Sequence, residues 1–169
     1  MKNWLVVLFL TAFLAGCGFT PKRYQVGSYC AQLNYQSEPQ YHIFGVKLRE
    51  ELLRAGVTFL EREDAQKPYL VVSSKRDFSA DRLAASTEAR VYKVNLVATV
   101  KVLNSKGKLL LPEMQLVAER SIMLRPHELV SLTPQFDAAE ESAASELVNR
   151  TMEKLFTFDS WNLTSSHEN

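Results

Sequence analysis

Tyr92-Lys93-Val94-Asn95-Leu96-Val97-Ala98-Thr99-Val100-Lys101-Val102 is the stretch that decides the fold. Tyr92, Val94, Leu96, Ala98, Val100 and Val102 alternate with Lys93, Asn95, Thr99 and Lys101. Side chains of a strand point to opposite faces with a period of two, so the stretch predicts a strand with one dry face and one wet one. Asn104-Ser105-Lys106-Gly107 follows, a cluster of turn-forming residues, and a partner strand is expected across residues 110–124 as a hairpin. On the other side, residues 69–78 are rich in Val and aromatics and begin just after Pro68, which predicts another strand. Residues 79–86 have little pattern and are read as a loop.

Further out the periodicity changes. Residues 28–36 mix Tyr29, Cys30, Leu33 and Tyr35 and are read as a first strand. Ser37-Glu38-Pro39 marks a helix entrance, since proline is tolerated in a first turn. Phe44, Leu48, Leu52 and Ala55 then recur at helical spacing, with Lys47, Arg49, Glu50, Glu51 and Arg54 on the other side and Gly56 as the stop. After Pro126, Thr133 is expected to cap a second helix with Pro134 at its first position. Phe136, Ala139, Ala143, Leu147, Met152 and Leu155 form its apolar side. Strand, helix, three strands and helix imply an α+β two-layer sandwich, with both helices packed on one face of a mostly antiparallel four-stranded sheet. The domain is expected to span residues 28–158, with a polar, disordered tail over residues 159–169.

The N-terminus reads differently. Met1-Lys2-Asn3 precedes an apolar run from Trp4 to Ala15, then Leu14-Ala15-Gly16-Cys17. A basic start, about a dozen apolar residues and small residues before a cut describe a secretory signal peptide over residues 1–16. A transmembrane anchor is the competing reading, but the run is too short to cross about 30 Å of hydrocarbon comfortably. The tetrapeptide resembles the bacterial lipobox, which implies that Cys17 carries covalent lipid, a diacylglycerol on its sulfur and a further acyl chain on its amine. Two or more acyl chains, at about 0.8 kcal/mol per buried CH₂, hold a domain at a membrane stably. In lipoproteins of two-membrane bacteria an aspartate after the cysteine retains the protein in the inner membrane, so Gly18 implies an outer-membrane address. Residues 17–27, with Lys22 and Arg23, form a tether.

The charge balance narrows the partners. The chain has 20 Lys and Arg against 19 Asp and Glu, and removal of residues 1–16 takes one lysine and no acid. A mature chain with balanced side chains is not expected to bind nucleic acid, whose partners carry a basic excess. Cys30 has no partner for an internal disulfide once Cys17 is lipidated and is read as a small apolar residue near a strand. His42, His127 and His167 lack second ligands at metal spacing, and solvent exposure is expected for His42 and His127. Glu140-Glu141 and Glu61-Arg62-Glu63-Asp64 are read as solvated faces. The chain contains no nucleophile elbow, phosphate loop or dinucleotide fingerprint. It is therefore not expected to be an enzyme, or to hold a metal or cofactor. The basic residues Arg76, Arg82, Arg90 and Lys93, with Arg125 and His127, fall between elements, where they either serve solubility or meet phosphate or carboxylate groups.

Gly16-Cys17-Gly18-Phe19 with basic residues soon after, the helix string Leu48-Arg49-Glu50-Glu51-Leu52-Leu53-Arg54-Ala55-Gly56-Val57, the long alternating strand with its hairpin and the terminal helix occur in a telling order. Together they resemble the LPS-assembly lipoprotein family (LptE, also called rare lipoprotein B), over nearly the whole mature chain. Many members continue His-Leu-Arg-Gly where this chain has Thr20-Pro21-Lys22-Arg23-Tyr24. The resemblance implies an outer-membrane lipoprotein that plugs the lumen of the β-barrel LptD. It also implies help in assembling that barrel and in inserting lipopolysaccharide into the outer leaflet. Direct lipopolysaccharide binding in the family makes Arg82, Arg90, Lys93 and Arg125 the candidate contacts. A stand-alone periplasmic lipoprotein that carries acyl chains in its own cavity is the alternative.

Overall fold

The alternation at residues 92–102 lies in β4 (Arg90–Leu103), the inner strand of a long antiparallel trio. Val94, Leu96, Ala98, Val100 and Val102 are buried on one face, while their odd-numbered neighbours are partly exposed on the other. The computed structural model describes residues 30–38, 42–82, 90–124 and 132–157, with the backbone alone at residues 81, 82 and 132. The expected signal peptide, Cys17 and its tether, Arg125, His127, residues 83–86 of the expected 79–86 loop and the C-terminal tail lie outside the described residues.

The other elements are β1 (Gln32–Glu38), α1 (Ile43–Arg54), β2 (Thr58–Phe59), β3 (Tyr69–Arg82), β5 (Met114–Leu124) and α2 (Leu132–Thr157). Among the described residues the sheet has five strands in the order β2-β1-β3-β4-β5, one more than the four expected. The extra strand is the two-residue β2, held where Thr58 N–H donates to Ala31 O at 2.7 Å and Leu60 N–H to Leu33 O at 3.0 Å. The sheet is also mixed. β1 runs parallel to both β2 and β3, while β3, β4 and β5 are antiparallel. The intervening α1 reverses the chain, so the strands on either side of it point the same way.

Several expected boundaries move. Ser37 and Glu38 continue β1, and α1 begins only at Ile43, with His42 as its N-cap. β3 continues to Arg82, through part of the stretch read as a loop. β5 starts at Met114, preceded by a single bridge between Leu109 and Leu103. α2 begins at Leu132, which puts Thr133 inside the helix, while Pro134 stays in the first turn. Gly56, at φ +96°, ends α1 as expected: its N–H donates to Leu53 O and Val57 N–H to Leu52 O, each at 3.0 Å. In the β4–β5 connection Asn104 Oδ1 accepts from Lys106 N–H and Lys108 N–H, both at 2.9 Å, and Gly107 takes φ +76°.

Both helices cover the same sheet face. Phe44, Leu48 and Leu52 of α1 and Ala143, Ala144, Leu147, Val148, Met152 and Leu155 of α2 bury against Leu33, Leu70, Val72, Leu96, Ala98, Val100 and Leu116. The approach of α1 to β1 depends on Gly45, where a Cβ would meet Ser37 Oγ at 2.5 Å and Tyr35 Oη at 3.1 Å. Tyr35 Oη–H instead donates to Gly45 O at 2.7 Å. On the opposite face the buried Asn34 pins the 61–67 segment, donating to Asp64 O and Lys67 O and accepting from Asp64 N–H.

Candidate functional site

β3, β4 and β5 outrun the rest of the sheet. β1 accompanies β3 only to Ser73, so, among the described residues, 74–82 pair with β4 alone, and β4 and β5 stay paired to Arg90 and Leu124. This distal end holds the predicted basic residues. Arg82 and Arg90 are cross-strand partners, with Leu124 next in the same row. Arg90 is exposed and shares the parity of Tyr92 and Val94, which places it on the helix-covered side of the sheet. Lys93 has the opposite parity: it stands between Ser79 and Ser121 on the uncovered face. The structure thus brings two of the predicted contacts together and puts the third on the other side. Arg125 follows Leu124 directly but, like Cys17, lies outside the described residues.

Below the arginine row lies an aromatic cluster. Phe78 and Tyr92 both meet Phe136 of α2 edge to face, with ring centroids 5.1 and 5.6 Å apart. Arg76 lies over the exposed side of Phe78, its guanidinium carbon 4.7 Å from the ring centroid.

Arg76 leads to the cluster that sequence reasoning missed. Its Nη1 donates to Glu140 Oε2 at 2.5 Å, and Glu140 Oε1 lies 3.3 Å from His42 Nε2. Glu140, read from sequence as solvated, is buried by these partners, whereas Glu141 beside it is exposed and pairs with Lys47 at 2.9 Å. His42 is not the exposed residue expected either. Its Nδ1 accepts from Phe44 N–H at 3.4 Å, while its buried Nε2 has no well-aligned hydrogen bond. Burial holds the His42 pKa below the usual histidine value, with Glu140 pulling it up and Arg76 pushing it down. Arg76, His42 and Glu140 come from three elements and lie far apart in the chain. The one available signal was an acidic residue on the apolar side of a helix, next to Ala143 and Ala144.

Between α1 and α2 runs a cleft of about 410 Å³, open to solvent and rimmed by Lys47, Glu50, Glu51, Arg54 and Glu141. Cys30 is buried and its thiol is pushed up to about 12 by burial, so it is an inert apolar residue of the core. Among the described residues no three His, Cys, Asp or Glu side chains converge to hold a metal, and no helix is long and apolar enough to cross a membrane.

No family model and no curated protein sequence matches the chain. Solved structures do. Rare lipoprotein B from Shewanella oneidensis is 13% identical and superposes with a TM-score of 0.56 over 75% of this chain and 94% of its own. The chain has the rare lipoprotein B fold. An uncharacterized lipoprotein B from Nitrosomonas europaea shares it at 14% identity, with a TM-score of 0.62 over 91% of this chain and 99% of that one. A minor lipoprotein from Acinetobacter baumannii shares it at 14% identity, with a TM-score of 0.59 over 78% and 93%. At these identities the likeness is one of fold.

Proposed function

We propose that this chain is a lipoprotein of the LptE kind, anchored to the outer membrane through lipid on Cys17, that plugs and helps assemble the β-barrel LptD and assists lipopolysaccharide insertion into the outer leaflet. The observation that carries the reading is the uncovered face of the β3–β4–β5 sheet. Ser73, Lys75, Asp77 and Ser79, Lys93, Asn95, Thr99 and Lys101, and Gln115, Glu119 and Ser121 share that face, mostly polar and mixed in charge, with the apolar cross-strand pairs Val97–Val117 and Val91–Met123 among them, behind a dry core. Such a face suits the lumen of a large membrane barrel, which is itself polar. Acyl chains on Cys17 would raise its effective concentration beside the barrel.

A stand-alone acyl carrier has less support. It needs a deep apolar cavity, whereas among the described residues the cleft between the helices is open and rimmed by charge. Purifying the tagged full chain from detergent-solubilised membranes tests the proposal. A large barrel protein should come with it, from the outer-membrane fraction, and a Cys17→Ser chain should lose that fractionation. Recovery of the chain alone from the inner membrane would sink the proposal. A separate part of the proposal is that Arg82, Arg90 and Arg125 at the distal end, and Lys93 on the other face of the sheet, contact lipid A phosphates. Replacing all four should weaken lipopolysaccharide binding by the full chain, and unchanged binding removes that assignment.

A further inference from the structure

β5 ends the sheet, and its outer edge is held by side chains. Asn34 N–H donates to Pro68 O, so the even-numbered residues of β3 turn their peptide groups toward β1 and the odd-numbered ones toward β4. Carried across the register, the odd-numbered residues of β4 face β3 and the even-numbered ones face β5. Leu110 N–H donates to Val102 O, in keeping with that alternation. The even-numbered residues of β5 therefore answer β4, and the peptide groups of Gln115, Val117, Glu119, Ser121 and Met123 turn outward. An edge of 11 residues, about 35 Å long, with Val117 and Met123 exposed beside it, is a template for a further strand.

Two guanidinium groups lie on that template. Arg150 of α2 donates from Nη1 to Val117 O at 2.8 Å, and Arg120 donates from Nη1 to Glu119 O at 2.9 Å. These are consecutive outward carbonyls. Arg120 also reaches Glu146 Oε2 through Nη2 at 2.7 Å and Ser142 Oγ through Nε at 3.1 Å, while Arg150 Nη1 lies 3.5 Å from Glu146 Oε1. Ser142, Glu146 and Arg150 recur at steps of four, a single stripe of α2 laid along the edge. We propose that Arg120, Glu146 and Arg150 form a latch that shuts the β5 edge against the addition of another extended chain. An incoming strand must displace both charge-assisted hydrogen bonds and cover three charges with its own peptide groups. A solvated ion pair between helix and strand ends on side chains and contributes little. Here both arginines end on main-chain oxygens, the acceptors that an added strand would need. The latch holds whether or not the chain enters a barrel.

Opening the latch tests it. Arg120→Ala combined with Arg150→Ala uncovers both carbonyls and leaves the pairing of β5 with β4 in place. Full chains purified in mild detergent are compared by sedimentation velocity, and the double variant should assemble at a several-fold lower concentration than the parent. In those assemblies the amides of Val117, Glu119 and Ser121 should exchange with solvent several-fold more slowly than in the parent chain, because an added strand now accepts them. Adding Val117→Pro removes an edge donor that β4 does not use, and should abolish the assembly. Lys47→Ala with Glu141→Ala removes an ion pair that lies between the helices instead, and should leave the chain as unassembled as the parent. A double variant that assembles no more than the parent overturns the proposal. So do assemblies without slowed exchange at those amides, assemblies that survive Val117→Pro, or equal assembly of the Lys47 and Glu141 variant.

Discussion

The two ends of the sandwich are built on different principles. At the proximal end both helices lie over the sheet and the apolar side chains of every strand join one continuous core. At the distal end β3, β4 and β5 continue without β1, and Val94 and Leu124 are buried there yet stand outside that core. Phe78, Tyr92 and Phe136 take over, partly exposed, with Arg76 lying across Phe78. The proximal half holds the continuous core, whereas the distal half presents an aromatic cluster and an arginine row.

The sharpest test compares one residue from each end. Leu147 is fully buried in the core. Leu147→Ala removes buried methyl groups from a site with little room to collapse and should cost about 2–5 kcal/mol. Phe78→Ala removes a larger side chain that is 45% exposed, and should cost only about 1 kcal/mol beyond its ring contact. Urea unfolding of both variants measures the difference. Equal losses would mean that stability is spread evenly along the sheet and the division into ends is wrong.

What was legible in the sequence follows the same division. β4 was readable because one of its faces is dry and the other wet, and α1 and α2 because their apolar stripes cover that dry face. The distal end of β3 was read as a loop because Ser79 and Ala80 are exposed, and a strand wet on both faces leaves no alternation to detect. β2 is too short to carry a pattern, and the parallel direction of β1 is set by the α1 crossover rather than by any residue of β1. Of the candidate site, the arginines could be named from sequence, but only register shows that Arg82 faces Arg90 while Lys93 lies on the other face. Glu140 was misread because its burial depends on Arg76 and His42, residues that only the tertiary fold brings to it.

Those contacts join the two ends, and two substitutions test the joint. Glu140→Gln removes the charge that Arg76 holds, and the half-exposed Arg76 can rehydrate, so a loss of about 1–2 kcal/mol is expected. Because Arg76 also covers Phe78, Glu140→Gln and Phe78→Ala should be non-additive in a double-mutant cycle. Additive losses would separate the two halves after all. Gly45→Ala acts at the proximal end alone. Its Cβ presses on Ser37 Oγ, so the single variant should lose about 1 kcal/mol. In a Ser37→Ala background the contact with Oγ is gone and only the approach of Tyr35 Oη at 3.1 Å remains, so the loss should shrink toward zero.

His42 gives the smallest effect and the most specific one. Its folded pKa lies below the ordinary value of 6.5 because the ring is buried at the start of α1. The unfolded chain therefore binds the proton more readily, and stability rises with pH where the two states differ in protonation. The His42 contribution is complete above about pH 6.5 and is lost as pH falls below it toward the lower folded pKa, with a slope under about 1.4 kcal/mol per pH unit because one proton is involved. Protonation also turns Nδ1 from an acceptor into a donor, which removes the cap on Phe44 N–H. His42→Asn can still cap the helix but has no proton to gain, so its stability curve just below about pH 6.5 should be flatter than that of the parent chain. If both curves have the same slope, the acid sensitivity lies in the carboxylates instead, and the joint between the two ends does not titrate through His42.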